Sequence, residues 1–128
     1  MKKIPLLTAF FVFILAGGLF AASAVYFCQI TGAIGVTYNS DTVENAKIGA
    51  FQTCLNYGGK SPILNNSSSY GGIGVVMWAE DSSNRRWCSS VLSASSDQQA
   101  MQMASDALTS VGAIYNMSYN KFVDTIIQ

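Results

Sequence analysis

The stretch Gly71–Ala94, GGIGVVMWAEDSSNRRWCSSVLSA, decides how the chain is read. Ile73–Ala79 and Trp87–Leu92 are rich in β-branched and aromatic residues, and the polar DSSNRR segment between them places turn formers at Asp81, Ser82, Ser83 and Asn84. Two such runs around such a cluster predict a β-hairpin. Working outward, one helical pattern precedes the hairpin, one follows it, and a strand-like run stands at each end of the domain. The order β-α-β-β-α-β predicts an α+β fold: a small antiparallel sheet with two helices on one face, in the ferredoxin-like arrangement.

The N-terminus reads as an export segment. Met1-Lys2-Lys3 is a short basic start, Ile4–Ala21 is apolar apart from Thr8, and Ala22-Ser23-Ala24 has the small-x-small pattern that signal peptidase accepts. Cleavage before Val25 is expected, leaving residues 25–128 as a single α+β domain. A retained membrane anchor over 1–24 is the rival, because a helical apolar run of that length nearly spans a bilayer of about 30 Å. Lys2 and Lys3 stay inside in both cases, so the domain is expected outside the cytoplasm, periplasmic or secreted.

Composition narrows the partners. The 128 residues carry 7 Lys and Arg against 7 Asp and Glu; without Lys2 and Lys3 the balance becomes 5 − 7 = −2. No basic run exists to neutralise phosphates, Arg85-Arg86 being only a pair, so nucleic acid is not an expected partner. The membrane enters only through the N-terminal segment, if it is retained.

Along the chain, Val25–Tyr38 (VYFCQITGAIGVTY) suits a first strand interrupted near Gly32. Asp41 with Glu44 has the form of a capping box and opens a helix over about 42–56, with Val43, Ala46, Ala50, Phe51, Cys54 and Leu55 at helical spacing and Gly58-Gly59 as its stop. Lys60–Tyr70 (KSPILNNSSSY) reads as a surface loop. Ser96 with Gln99 opens a second helix over about 97–111, its apolar stripe being Ala100, Met103, Ala104, Ala107, Leu108 and Val111. Lys121–Ile127 reads as a closing strand. A faint internal repeat matches Ala46, Ala50, Phe51 and Cys54 to Met103, Ala107, Leu108 and Val111.

Several of these residues carry a family resemblance. Gly32-Ala33-Ile34-Gly35-Val36, then Ala46-x-x-x-Ala50-Phe51-x-x-Cys54, then Val75-Val76 and Trp87-Cys88-Ser89-Ser90-Val91-Leu92 resemble the small exported bacterial proteins grouped as domain of unknown function 4189. The resemblance covers most of residues 25–128. That family usually places cysteines just before the central strand and at the end of the second helix, where this chain has Gly74 and Val111. The resemblance therefore brings no disulfide pairing with it, and the family name supplies no activity.

The available chemistry is restricted. The absence of histidine removes the commonest general base, the Ser-His and Cys-His nucleophile pairs and the usual zinc and copper ligands. No catalytic residue, cofactor or metal ligand is assigned. Glu80 and Asp81 are the nearest carboxylate pair, but adjacent strand residues point to opposite faces. The three cysteines, in an oxidising compartment, predict one bridge and one leftover thiol. Cys54 with Cys88 is the expected pair, closing about 34 residues; Cys28 is the alternative partner for either, a buried thiol, or a link between two chains.

The hairpin tip is the expected binding surface. Trp78, Glu80, Asp81, Arg85, Arg86 and Trp87 gather two indoles, two guanidiniums and two carboxylates around one turn, a composition enriched at binding hot spots. The same tryptophans also suit a small core, with the charges keeping the turn wet. The expected function is a non-enzymatic protein-binding module of the bacterial envelope, one version being an immunity or inhibitor protein against a toxin or envelope hydrolase. A self-associating structural component is the alternative, and a cell-wall hydrolase working with Glu80 and Asp81 is a third reading.

Overall fold

The computed structural model describes residues 21–125. Its elements are β1 (Ala22–Phe27), β2 (Ile34–Ser40), α1 (Val43–Asn56), β3 (Ile63–Ser68), β4 (Gly72–Glu80), β5 (Arg86–Ala94), α2 (Asp97–Ser110) and β6 (Tyr115–Asp124). They build an α+β fold with two three-stranded antiparallel sheets, ordered β2-β1-β3 and β5-β4-β6. Each half of the chain is strand, strand, helix, strand, with its first strand in the middle of its own sheet.

Side-chain alternation explains the layering. Ala22 and Ala24 of β1 meet Ala46 and Ala50 of α1, and Val75, Met77 and Ala79 of β4 meet Ala100, Ala104 and Leu108 of α2. The opposite faces, which carry the buried Val25 and Val76, turn inward between the sheets. The helices therefore cover the two outer faces. Side chains, rather than a backbone ladder, close the seams between the sheets. Asn65 and Asn66 of β3 donate through Nδ2 to the Cys88 and Ser90 carbonyls of β5 at 3.1 and 3.0 Å, and Ser68 hydrogen-bonds Ser93. On the other side Tyr38 stacks on Phe122 with ring centroids 4.7 Å apart, and Asn39 Oδ1 accepts from the Thr125 N–H at 2.8 Å.

The two halves repeat with a constant offset. Thr42 and Ser96 are the N-caps, accepting from the N–H groups of Asn45 and Asn45's counterpart Gln99 at 3.0 and 3.3 Å. The buried helix residues are Ala46, Ala50 and Cys54 in α1 and Ala100, Ala104 and Leu108 in α2. At the helix ends, Gly59 N–H returns to the Cys54 carbonyl at 2.8 Å and Ala113 N–H to that of Leu108 at 2.9 Å. Between them Gly58 and Gly112 adopt φ of +94° and +77°, the left-handed conformation that a helix C-terminus of this kind requires. Every pair is separated by 54 positions in the sequence.

The structure corrects several expectations. There are two sheets and not one, and the helices lie on opposite outer faces rather than sharing one. Val25–Tyr38 is two strands, turned at Cys28–Ala33, where Cys28 N–H reaches the Ala33 carbonyl at 2.9 Å. The expected loop at Lys60–Tyr70 contains β3, which pairs with β1. The cap of α1 is Thr42; Asp41 instead accepts the Asn45 side-chain amide at 2.7 Å. The repeat aligns Ala46 with Ala100, not with Met103, because in each half the small residues sit against the sheet.

The closing strand starts at Tyr115, six residues before the expected start at Lys121, and residues 126–128 lie outside the described residues. Of the expected export segment, residues 1–20 also lie outside them. Its end does not: the boundary expected between Ala24 and Val25 falls inside β1. Among the described residues no helix is long and apolar enough to cross a membrane.

Candidate functional site

The hairpin residues named from sequence divide into two groups. Asp81 closes the β4–β5 turn on itself: Oδ1 accepts from the N–H groups of Ser83 and Arg85 at 2.8 and 2.9 Å, and Oδ2 from Trp87 Nε1 at 3.1 Å. The Trp87 indole N–H, followed by the Arg85 N–H, holds its carboxyl below the usual carboxylate range. Arg85 lies over the Trp87 ring, 5.8 Å from its centroid. Asp81 and Trp87 thus satisfy each other across the turn, with the Arg85 side chain lying over the indole.

Trp78, Glu80 and Arg86 lie elsewhere, along a cleft between the ends of the two sheets. Trp78 borders both of its lobes. One lobe, of about 400 Å³, also meets Ile34, Val36, Val76 and Asn120, and the other, of about 260 Å³, meets Thr31, Glu80, Arg86 and Asn116. The polar groups here bind one another. Arg86 donates through a terminal guanidinium nitrogen to the Ile30 carbonyl at 2.7 Å, Gln29 Nε2 donates to the Arg86 carbonyl at 3.0 Å, and Glu80 accepts from Asn116 Nδ2 at 3.1 Å. Arg86 is therefore a strap from β5 to the β1–β2 turn. Glu80 and Asp81 are not brought together, and each carboxylate is engaged by a different partner. Among the described residues no group of three or more potential ligands is placed to hold a metal ion.

A second surface was hidden in the sequence. Met117 and Tyr119 of β6, with Met77, Met101, Gln98 and Gln102, line an open groove of about 450 Å³ between the edge strand and α2. On β6, Met117 is 39% exposed, Tyr119 51% and Val123 55%, so an apolar strip along the strand lies open to solvent. Lys121 bridges to Asp97 at one end of the groove. The signal was the period-two run Tyr115-x-Met117-x-Tyr119, masked by the intervening Asn116, Ser118 and Asn120.

No protein-family model, curated protein or solved structure matches this chain. The site is therefore read from its own geometry.

The cysteines are free thiols in this structure, so the expected Cys54–Cys88 bridge is not formed. Cys54 belongs to α1 and packs with Cys28 and Ala33. Cys88 sits opposite Trp78 on β5 and borders a separate hollow with Phe27, Ile63 and Leu64.

One buried acid sits at the β2–β6 seam. Asp124 is 2% exposed, beside the equally buried Ser23, and neither the Ser23 hydroxyl nor Asp124 Oδ2 completes a hydrogen bond. Burial pushes the Asp124 carboxyl up to about 6, against the opposing pull of the Asn39 N–H and the nearby Ser23 hydroxyl. The folded chain thus holds this proton more tightly than the unfolded chain. The stabilisation is complete below the ordinary carboxylate value of 3.8 and is lost as the pH rises through about 6. Allowing for screening at a seam near solvent, the expected loss is roughly 1–2 kcal/mol. Thermal midpoints taken across this window are expected to fall for the parent, and to stay flatter for Asp124→Asn. An equal slope in the variant would assign the titration to another group.

Proposed function

We propose that this chain is an exported, non-enzymatic protein-binding module that receives its partner on the groove between β6 and α2. The observation that carries the reading is that groove: Met117 and Tyr119 are exposed side by side along an edge strand, with the half-buried Met101 of α2 across from them. Methionine adapts its shape to a partner, and tyrosine and methionine are enriched at interface centres. An extended partner segment laid along β6 would bury the strip and use the outer edge of the strand for hydrogen bonds. The basic start and apolar run before β1 support export, and an immunity or inhibitor role in the bacterial envelope suits a small domain without histidine. Membership in domain of unknown function 4189 belongs to the same proposal and rests on the Gly32–Val36, Ala46–Cys54 and Trp87–Leu92 motifs.

The hairpin tip is the weaker docking surface, because the Asp81 carboxylate and the Trp87 indole N–H satisfy each other and Arg85 lies over the indole. The test is affinity capture from envelope and secreted proteins with the full domain as bait. A stoichiometric partner is expected, with the Met117→Ala/Tyr119→Ala variant binding it about tenfold or more weakly and Arg85→Ala binding it as the parent does. Equal binding by the double variant would move the interface away from the groove. Capture of the bait alone, with a mass that rises with concentration in light scattering, would replace the reading by self-association through the same strand.

A further inference from the structure

Cys28 and Cys54 share their surroundings. Cys28 ends β1, and Cys54 lies in the last turn of α1; with Ala33 they form one buried cluster. The Ala33 carbonyl accepts from the Cys28 N–H at 2.9 Å and from the Cys54 thiol at 3.4 Å. The chain leaving α1 touches both sulfurs in consecutive residues. A Cβ on Gly59 would stand 2.8 Å from Cys54 Sγ, while Lys60 N–H approaches Cys28 Sγ at 3.3 Å and the Cys28 thiol donates to the Lys60 carbonyl at 3.2 Å. Two thiols flanking one dipeptide and one carbonyl are placed for a short side-chain adjustment to join them. Cys88 belongs to the other sheet and borders a hollow with Phe27, Ile63 and Leu64; its thiol feels that of Cys54, but the contacts to the Ala33 carbonyl, Gly59 and Lys60 are those of Cys28 and Cys54.

From this geometry we infer that Cys28 and Cys54 are the redox pair of the chain, with Cys28 attacking a small-molecule disulfide and Cys54 resolving the adduct. In the first step the Cys28 thiolate attacks one sulfur of the small disulfide, forming a mixed disulfide and expelling one thiolate. In the second, Cys54 releases its proton and its thiolate attacks Cys28 Sγ, expelling the second thiolate. The two protein thiols lose two electrons and two protons, and the small disulfide becomes two thiols.

The order of roles follows from the surroundings. The Thr31 hydroxyl and then the Lys60 N–H lower the Cys28 thiol to about 7, so it is substantially thiolate near neutrality. Burial and the neighbouring Cys28 raise Cys54, and burial pushes Cys88 up to about 12. Access runs through the β1–β2 turn, where Ile30 is 75% exposed while Cys28 beneath it is 2% exposed. The Arg86 strap to the Ile30 carbonyl keeps that turn shut.

Trypsin separates the three cysteines, because cleavage after Lys47, Lys60 and Arg86 places each in a different peptide. The natively folded full chain is exposed to excess oxidised glutathione, its remaining thiols are alkylated, and its peptides are mapped by mass. The expected product joins the Cys28 and Cys54 peptides and leaves Cys88 alkylated, and Cys88→Ser gives the same link. In Cys54→Ser, Cys28 is expected to stop at the glutathione adduct; an adduct only elsewhere overturns the order of attack. Arg86→Ala is expected to speed the parent reaction several-fold. A Cys54–Cys88 or Cys28–Cys88 link, or three alkylated cysteines, overturns the pairing.

Discussion

Gly35→Ala is expected to cost this chain most of its stability. A Cβ at Gly35 would lie 2.0 Å from the Ala50 carbonyl oxygen, 2.5 Å from the Cys54 nitrogen and 3.0 Å from its Cα. All three are backbone atoms of α1, so no side-chain rotation relieves the clash. Either the helix lifts from β2 or the strand twists away, and each movement opens the contacts of Ala46 and Ala50 with Ala22 and Ala24. Overpacking of a tight core costs about 1–3 kcal/mol where side chains adjust; against fixed backbone roughly 4 kcal/mol or more is expected, a large part of the ~5–15 kcal/mol that holds a domain. Gly58→Ala is the control. Gly58 has φ of +94° with nothing within 4 Å of the added carbon, so only the left-handed strain of about 1–2 kcal/mol applies. Urea unfolding of the two variants measures the difference. Equal midpoints would mean that α1 does not sit as close to β2 as this packing requires.

The same contact gives physical meaning to the motifs that resemble domain of unknown function 4189. Gly35, Ala46, Ala50 and Cys54 are spaced along two segments of sequence, yet they form one interface where a helix rests almost backbone to backbone on a strand. Ala33 joins it through Cys54. Gly35, Ala46 and Ala50 are small because a larger side chain at any of them would hold the helix off the strand.

What was legible in the sequence was local. The hairpin appears where period-two hydrophobicity meets a run of turn formers, and both helices appear within a residue or two because polar cap residues open them, Ser96 as expected and Thr42 one place after the expected Asp41, and Gly58 ends the first. The face that α2 buries was less legible. Hydropathy favours Met103 and Val111, but these are 54% and 42% exposed, while Ala100 and Ala104 are wholly buried. A helix lying close to its sheet selects small residues, so the greasiest stripe and the buried stripe diverge.

Long-range pairing was not legible. Periodicity gives a strand two faces but does not name its neighbours, and the β1–β2 turn is embedded in a run whose apolar residues conceal it. β3 was missed for the opposite reason: its Asn65, Asn66, Ser67 and Ser68 look like loop, yet Asn65 and Asn66 serve as side-chain donors across a seam. In the candidate site, sequence proximity grouped six hairpin residues that strand alternation and the Asp81 turn then separated. The groove on β6 was missed because its second wall comes from a helix distant in sequence.

A chain beginning at Val25 is expected to fold poorly. β1 is the central strand of the first sheet, and Ala22, Ser23 and Ala24 are half of it. Removing them deletes the pairings of Ala22 with Ser40 and of Ala24 with Thr37 on one side, and of Ser23 with Ser68 and of Ala24 with Ser67 on the other. It also strips α1 of the two alanines that Ala46 and Ala50 pack against. Several backbone hydrogen bonds at about 1 kcal/mol each, with the lost burial, make roughly 3–5 kcal/mol. For a domain of this size that corresponds to a thermal midpoint lower by about 15 °C or more, or to no cooperative transition. Circular dichroism melting of chains starting at Leu19 and at Val25 measures it directly; midpoints within a few degrees would show that the first half of β1 is dispensable. A cut after Ala24 would sacrifice this half-strand, whereas Ala16-Gly17-Gly18 offers the same small-x-small pattern upstream and leaves β1 whole. On the export proposed above, N-terminal sequencing of the mature protein is expected to return a start before Ala22. Recovery of a stable product starting at Val25 would overturn this, since it would show that β2 and β3 hold together without the first half of the strand between them.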